Sequence, residues 1–273
     1  MKMNKTIVAA ALSLVCLSTV FAQQTTEPPA DLEYQLAGIL YTQKAAEYRA
    51  LAYQAFNLAR LRLDADLDKR NLKQLPKDRR KMPRAIIVDI DETVLDNSPG
   101  QAYGYKNGLA FNLPDWYKWG EMRKAPAVPG AVEFLNYAVA KGVKVFFISN
   151  RDEVQKQATI DNLRAAGFKD VGDENVFLRE KESGKDARRA KVEAKHRVVM
   201  LVGDNLDDFT SAFEKKSVAE RFAETDKDKA EFGRRFIVLP NAMYGTWENA
   251  IYEYKRLTDA EKRKMRADAL QLP

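Results

Sequence analysis

From Arg84 onward, five short runs of apolar residues alternate with segments of helical length, and that alternation leaves the chain few folds to adopt. The runs lie at 85–88, 144–148, 175–178, 198–202 and 235–239. Unbroken apolarity over four or five residues is the pattern of a strand covered on both faces, unlike the every-other-residue pattern of a half-exposed one. The intervening segments 130–140, 153–166, 185–195 and 209–232, the last with a break, read as helices, and 244–257 follows the fifth run. Strands alternating with helices predict an α/β fold: a Rossmann-like parallel sheet of about five strands, right-handed crossovers, and helices on both faces. Residues 96–128 are too long for a simple crossover loop and carry Tyr103, Tyr105, Phe111, Trp116, Tyr117 and Trp119; they read as a cap inserted over the site.

Upstream, residues 31–68 read as one helix or two, with Leu36, Ile39, Leu40, Leu51, Ala52, Ala55, Phe56 and Leu63 near helical spacing. These helices and the cap are expected to form a smaller helical domain. The boundaries expected are a helical segment 23–84, a core 85–257 and a C-terminal helix 258–273, which Thr258 and Glu261 open as a capping box. The stretch 69–84 is densely basic, from Lys69 and Arg70 to Lys81 and Arg84. No aromatic residue interleaves, so a solvated loop is expected there and no nucleic-acid partner.

Residues 1–22 read as an export leader. Lys2 and Lys5 precede an apolar run at 6–15, too short to span a bilayer, and Val20, Phe21 and Ala22 stand at cleavage spacing. Cleavage before Gln23 and a periplasmic location are expected. The alternative is an outer-membrane lipoprotein lipidated at Cys16, although Val15 is bulkier than such a box prefers. Cys16 is the only cysteine and His196 the only histidine. Once the leader is gone, thiol nucleophiles and disulfides are excluded, and so are histidine-nucleophile phosphatases and His-rich metal centres. The chemistry must run on carboxylates, Lys, Ser and a hard metal. The net charge of +6, or +4 without Lys2 and Lys5, favours anionic substrates only weakly.

Parallel sheets bind ligands beyond the carboxyl ends of their strands. The residues there are Asp89 and Asp91 after the first run; Ser149, Asn150 and Arg151 after the second; and Gly203, Asp204, Asn205 and Asp208 after the fourth. Lys185 opens the preceding helix. This set suits phosphoryl transfer. Asp89 and Asp204 can share a hard divalent cation completed by a backbone carbonyl and waters. Asp89 can attack phosphorus, Asp91 can serve as general acid and then base, Lys185 can neutralise charge, and Ser149 can hold phosphate oxygens.

The motifs Asp89-x-Asp91-x-Thr93, Ser149, Lys185 and Gly203-Asp204-x-x-x-Asp208 resemble those of the haloacid dehalogenase superfamily. The longer stretches 89–99 and 203–209 look like the signatures of its bacterial class C acid phosphatases, and the similarity runs from about residue 34 to 257. That resemblance implies an exported, Mg²⁺-dependent acid phosphatase or 5′-nucleotidase. It implies Mg²⁺ on Asp89, the Asp91 carbonyl and Asp204, supported by Asp208, with Lys185 as the motif lysine. It implies an aromatic clamp for a nucleoside base at Trp116 and Tyr244. Thr93, Ser149 and Asn150 are read as further substrate contacts. Expected partners are small phosphomonoesters, above all nucleoside monophosphates; membrane attachment follows only from lipidation at Cys16, and homodimerisation is left open.

Each residue also has a blander reading. A lone Asp-x-Asp is usually a cap or ion site, Lys185 has Lys181, Lys191 and Lys195 nearby, Trp116 and Tyr244 could be packing, and His196 is read as surface or structural. The alternative function is a non-enzymatic surface binding protein, an adhesin or haem binder using the same pocket. A relative kept for structure or storage is a third, against which the intact Asp89, Asp91 and Asp204 argue.

Overall fold

The structure, a computed structural model, describes residues 30–273. The leader, the cleavage site and Cys16 lie outside the described residues. The chain runs α1 (Ala30–Lys44), α2 (Ala46–Leu67), α3 (Lys69–Leu72), α4 (Lys77–Lys81), β1 (Arg84–Val88), α5 (Ser98–Lys106), α6 (Leu113–Met122), α7 (Ala131–Ala140), β2 (Lys144–Asp152), α8 (Lys156–Ala165), β3 (Val176–Arg179), α9 (Asp186–Glu193), β4 (Arg197–Gly203), α10 (Val218–Lys227), β5 (Phe236–Val238), α11 (Thr246–Ile251) and α12 (Asp259–Asp268). The five strands form one parallel sheet in the order β3-β2-β1-β4-β5.

The continuous apolar runs have the expected cause. Alternate residues of each strand enter opposite cores. Ile86, Val88, Val145, Phe147, Met200 and Val202 meet Phe56 and Leu63 of α2, Phe134 and Leu135 of α7 and Leu163 of α8. Ala85, Ile87, Phe146, Ile148 and Leu201 face the other way, onto Val192 of α9 and Phe209. His196 is packing, its ring edge-on to Phe146 with centroids 5.0 Å apart.

Four details sharpen or correct the expectations. First, α2 packs against the main domain, lying on α7, β4 and β5, whereas α1 meets α5 of the insertion and α12. Asp66 fastens α2 to the sheet by accepting from Arg84 on β1 and Arg197 on β4. Burial raises the Asp66 carboxyl, but those two guanidinium groups outweigh it and hold it below its usual range. Second, the basic stretch contains the short helices α3 and α4. Third, the 209–232 helix shrinks to α10, because Thr210 and Ser217 each cap a new start and Ser217 forms a capping box with Glu220. Fourth, the 244–257 helix stops at Ile251, since Glu253 and Tyr254 turn left-handed, at φ 51° and 57°. The box of Thr258 with Glu261 opens α12 as expected. No described helix is long and apolar enough to cross a membrane.

Candidate active site

The backbone of Asp89 is still tied into the sheet, its N–H donating to the Val202 carbonyl at 2.9 Å, while its carboxylate stands beyond the strand end. The chain then reverses sharply. The Ile90 carbonyl accepts from Val94 and Leu95, each at 2.9 Å, and Glu92 is left-handed at φ 58°. That conformation costs a non-glycine residue roughly 1–2 kcal/mol. It is held because the buried Glu92 carboxylate accepts from the Asn97 N–H at 2.8 Å, closing the loop on itself.

The reversal gives the two aspartates different surroundings. Asp91 Oδ1 accepts from Arg151 Nε at 2.9 Å, Arg151 Nη2 at 2.8 Å and Asn97 Nδ2 at 2.8 Å. Its Oδ2 has longer bonds, 3.1 Å from Ser149 Oγ and 3.2 Å from Arg151 Nε. Asp89 meets Lys185, which donates to it and, at 2.7 Å, to Asp208.

Asp89, Asp204 and Asp208 bring carboxylate oxygens within 4.8 Å of one another. Two features of β4 and its loop make this possible. A Cβ on Gly203 would lie 2.4 Å from Asp208 Oδ2, so only glycine lets Asp208 fold back. Asp208 in turn accepts from the Asn205 N–H at 3.0 Å. Asp204 is oriented from both sides, by Thr93 Oγ1 at 2.9 Å and Asn241 Nδ2 at 2.8 Å.

These groups fit a hard divalent cation. The donors are all oxygen. Three carboxylates against the Lys185 ammonium leave two negative charges for a dication to balance. Without that cation the cluster is electrostatically overloaded. Burial raises the Asp89 carboxyl well above its usual range, aided by Asp208, Asp204 and Asp91 and opposed by Lys185. Burial and Asp208 push Asp204 up to about 7 against the hydrogen bonds of Asn241 and Thr93. Burial would lower Lys185, but Asp208 and Asp89 prevail and it stays an ammonium.

A carboxyl with a raised folded pKa binds a proton that the unfolded chain has already released, so stability falls as pH rises from the unfolded to the folded value. For Asp204 that window runs from 3.8 to about 7. Melting in EDTA should therefore give a lower Tm at pH 8 than at pH 5.5, and a divalent cation should raise Tm more at pH 8. A chelated protein melting higher at pH 8 would contradict this account.

Of the residues expected in the site, Asp89, Asp91, Ser149, Asn150, Lys185, Asp204, Asp208, Trp116 and Tyr244 all line one cleft of about 620 Å³. Thr93 does not; it is fully buried and serves Asp204, which corrects its reading as a substrate contact. Ser149 Oγ is engaged by Asp91 and by the Arg151 N–H, and Asn150 Oδ1 accepts from Arg188 at 2.7 Å. In the sequence Arg151 stands out only as a strand-end residue and Asn97 only as part of the 89–99 stretch, while Arg188 and Asn241 carry no assigned role. Arg151 also lies over Trp116, 5.4 Å from the ring centroid, and Trp119 Nε1 donates to Asn97 at 2.8 Å. The insertion is further fixed to the core by Tyr117 donating to Asp152, itself paired with Arg179.

The chain matches the family described as HAD superfamily, subfamily IIIB (Acid phosphatase) over residues 2–247. The class C acid phosphatase of Bacillus anthracis with tungstate bound is similar in structure, at a TM-score of 0.81 and 42% identity, covering 89% of this chain and 98% of that one. A second structure of the Bacillus anthracis protein gives a TM-score of 0.82 and 41% identity, covering 89% and 99%. Acid phosphatase 1 of Solanum lycopersicum is 34% identical over 131 residues, 45% of this chain and 50% of that protein. Vegetative storage protein 2 of Arabidopsis thaliana is 32% identical over 82 residues, 30% of this chain and 31% of that protein. The chain thus spans half or less of the length of these two curated relatives. On the near-complete family match and the full-length structural likeness, this chain belongs to the HAD superfamily, subfamily IIIB, of acid phosphatases.

Proposed function

We propose that the protein is an exported, Mg²⁺-dependent acid phosphatase that hydrolyses phosphomonoesters through an aspartyl-phosphate, with nucleoside 5′-monophosphates among its substrates. The observation that carries this reading is the convergence of Asp89, Lys185, Asp204 and Asp208 beyond the ends of β1 and β4. Export rests on the leader at residues 1–22.

Asp89 is the nucleophile. Its carboxylate attacks phosphorus in line, and the ester oxygen leaves on the opposite side. Lys185 offsets the repulsion between that carboxylate and an anionic phosphate. Asp89, Asp204 and the Asp91 carbonyl, with Asp208 in support, would hold Mg²⁺, which would supply further charge neutralisation. Asp91 gives a proton to the departing oxygen and later takes one from the water that attacks the phospho-Asp89. Arg151 and Asn97 hold Asp91 for both tasks. Tungstate, bound by the Bacillus anthracis relative, is a tetrahedral oxyanion of the kind this cleft would accept.

The test is hydrolysis of p-nitrophenyl phosphate and AMP by purified protein. Activity is expected with Mg²⁺, lost in EDTA and restored by excess Mg²⁺; activity indifferent to EDTA would remove the metal from the reading. A nucleotide clamp makes a separate prediction. Trp116→Ala should raise KM for AMP by about tenfold, because base stacking is worth roughly 1–3 kcal/mol. KM for p-nitrophenyl phosphate should change much less, and equal changes would eliminate the clamp.

A further inference from the structure

A second cavity, of about 770 Å³, lies beside the catalytic cleft between α1, α5 and α6. It shares Gln35, Gln101, Phe111 and Trp116 with the cleft, so the two adjoin at the Trp116 side chain. Tyr244 lies on the cleft alone. The cavity's own wall includes Leu32, Tyr103, Leu109, Trp119 and Met122. Asp115 and Lys118, the charged residues on it, pair with each other at 2.8 Å, so the wall carries no net charge. Several apolar side chains are displayed to solvent here: Tyr103 is 66% exposed, Phe111 68% and Met122 51%. Contiguous apolar surface of this kind marks a ligand or partner site, and its position against the cleft favours a ligand that also reaches Asp89.

We propose that this cavity receives the hydrocarbon tail of an amphiphilic phosphomonoester, a phosphate carried on a long alkyl or acyl chain. The inference rests on the phosphomonoesterase reading above. The phosphate sits at Asp89, and the tail runs past Phe111 and Trp116 into the cavity. Leu32, Leu109, Phe111, Trp119 and Met122 offer an unbranched chain apolar contact, while Gln35 and Gln101 stand at the edge shared with the cleft. The chemistry is the same hydrolysis. Phosphorus leaves the alkyl oxygen, that oxygen takes a proton and departs as the alcohol, and water supplies the oxygen of inorganic phosphate.

The test is a homologous series, ethyl to decyl phosphate, each below its critical micelle concentration, with wild type, Leu109→Arg and Met122→Arg. Each fully buried methylene can contribute up to about fourfold. kcat/KM for wild type should therefore rise by at least about tenfold along the series. In both variants the rise should collapse, with ethyl phosphate turned over as in wild type. Decyl phosphonate, which cannot be hydrolysed, should bind wild type at least about tenfold more tightly than ethyl phosphonate, read from the fluorescence of Trp116 and Trp119, and this preference should vanish in Met122→Arg. A flat series with ethyl phosphate still hydrolysed would overturn the proposal, as would a slope that survives in both variants. A flat series in which Met122→Arg turns a dimer into a monomer would assign the patch to a second copy of the chain and overturn it equally. If no ester is turned over, the phosphatase reading fails, and the phosphonate measurement still decides the cavity.

Discussion

Asp89→Asn is expected to lower turnover of p-nitrophenyl phosphate by about 10⁴-fold or more, because removing a nucleophile that acts as one unit with its partners can cost a hydrolase up to about 10⁶ in kcat. The protein should stay folded. Asp89 is buried among Asp204, Asp208 and Asp91, all of which oppose its charge, and Lys185 keeps Asp208 as a partner when the Asp89 carboxylate is gone. In EDTA the variant should thus melt at or above the wild-type temperature, and the rise in Tm on adding Mg²⁺ should shrink, since one of three carboxylates is lost. The pairing of these outcomes matters. A dead variant with a collapsed Tm would report misfolding, whereas a dead variant that melts normally reports chemistry. Full hydrolysis by the variant would sink the mechanism.

The strands could be read from the sequence because both faces of the sheet are covered. The middle of each strand had to be apolar, and the five apolar runs that follow Arg84 each fall on one. β2 shows where the criterion stops. It continues through Ser149, Asn150 and Arg151 to Asp152, beyond its apolar run. Those residues are polar because they build the site, so function disguised the end of the strand. The helices between Phe209 and Leu257 were harder. Their limits are set by side-chain caps at Thr210 and Ser217 and by left-handed residues at 253 and 254, which periodicity does not register. For α2 the periodic apolar stripe declared a buried face without saying against what, and the answer depends on Asp66 meeting two arginines 18 and 131 residues away.

The site divides in the same way. Asp89, Asp91 and Asp204 stand within three residues of apolar runs, so strand ends place them near one another, whereas Asp208 is brought back to them by the turn after Gly203. Lys185 was one of several lysines in its region, and only the fold separates it from Lys181, Lys191 and Lys195. Arg151 was visible as a residue but not as a partner, since its bond to Asp91 joins two strand ends 60 residues apart. Thr93 sits within the leading motif, yet its hydroxyl serves Asp204, 111 residues on, and no local pattern encodes that.

Asp91→Asn provides the sharper test of how the chemistry is shared, because its effect should depend on the leaving group. Asp91 Oδ1 is saturated by Arg151 and Asn97, which leaves Oδ2, with its longer bonds, as the oxygen able to carry the proton. Asn keeps one oxygen for the donors on Oδ1, but the NH₂ that replaces Oδ2 can neither accept from Ser149 and Arg151 nor transfer that proton. Loss of general acid–base catalysis costs about 10²–10⁴-fold. AMP, whose ribose oxygen leaves poorly without a proton, should suffer that loss in forming the phospho-Asp89. p-Nitrophenolate departs readily unprotonated, so phospho-Asp89 should still form quickly from p-nitrophenyl phosphate. Its hydrolysis should be slow, because no base activates the water. Rapid mixing of the variant with p-nitrophenyl phosphate should then show a burst of about one p-nitrophenolate per enzyme followed by a slow steady state, whereas AMP should give no burst. Equal losses for both substrates without a burst would remove Asp91 from the proton transfers and leave it a structural partner of Arg151.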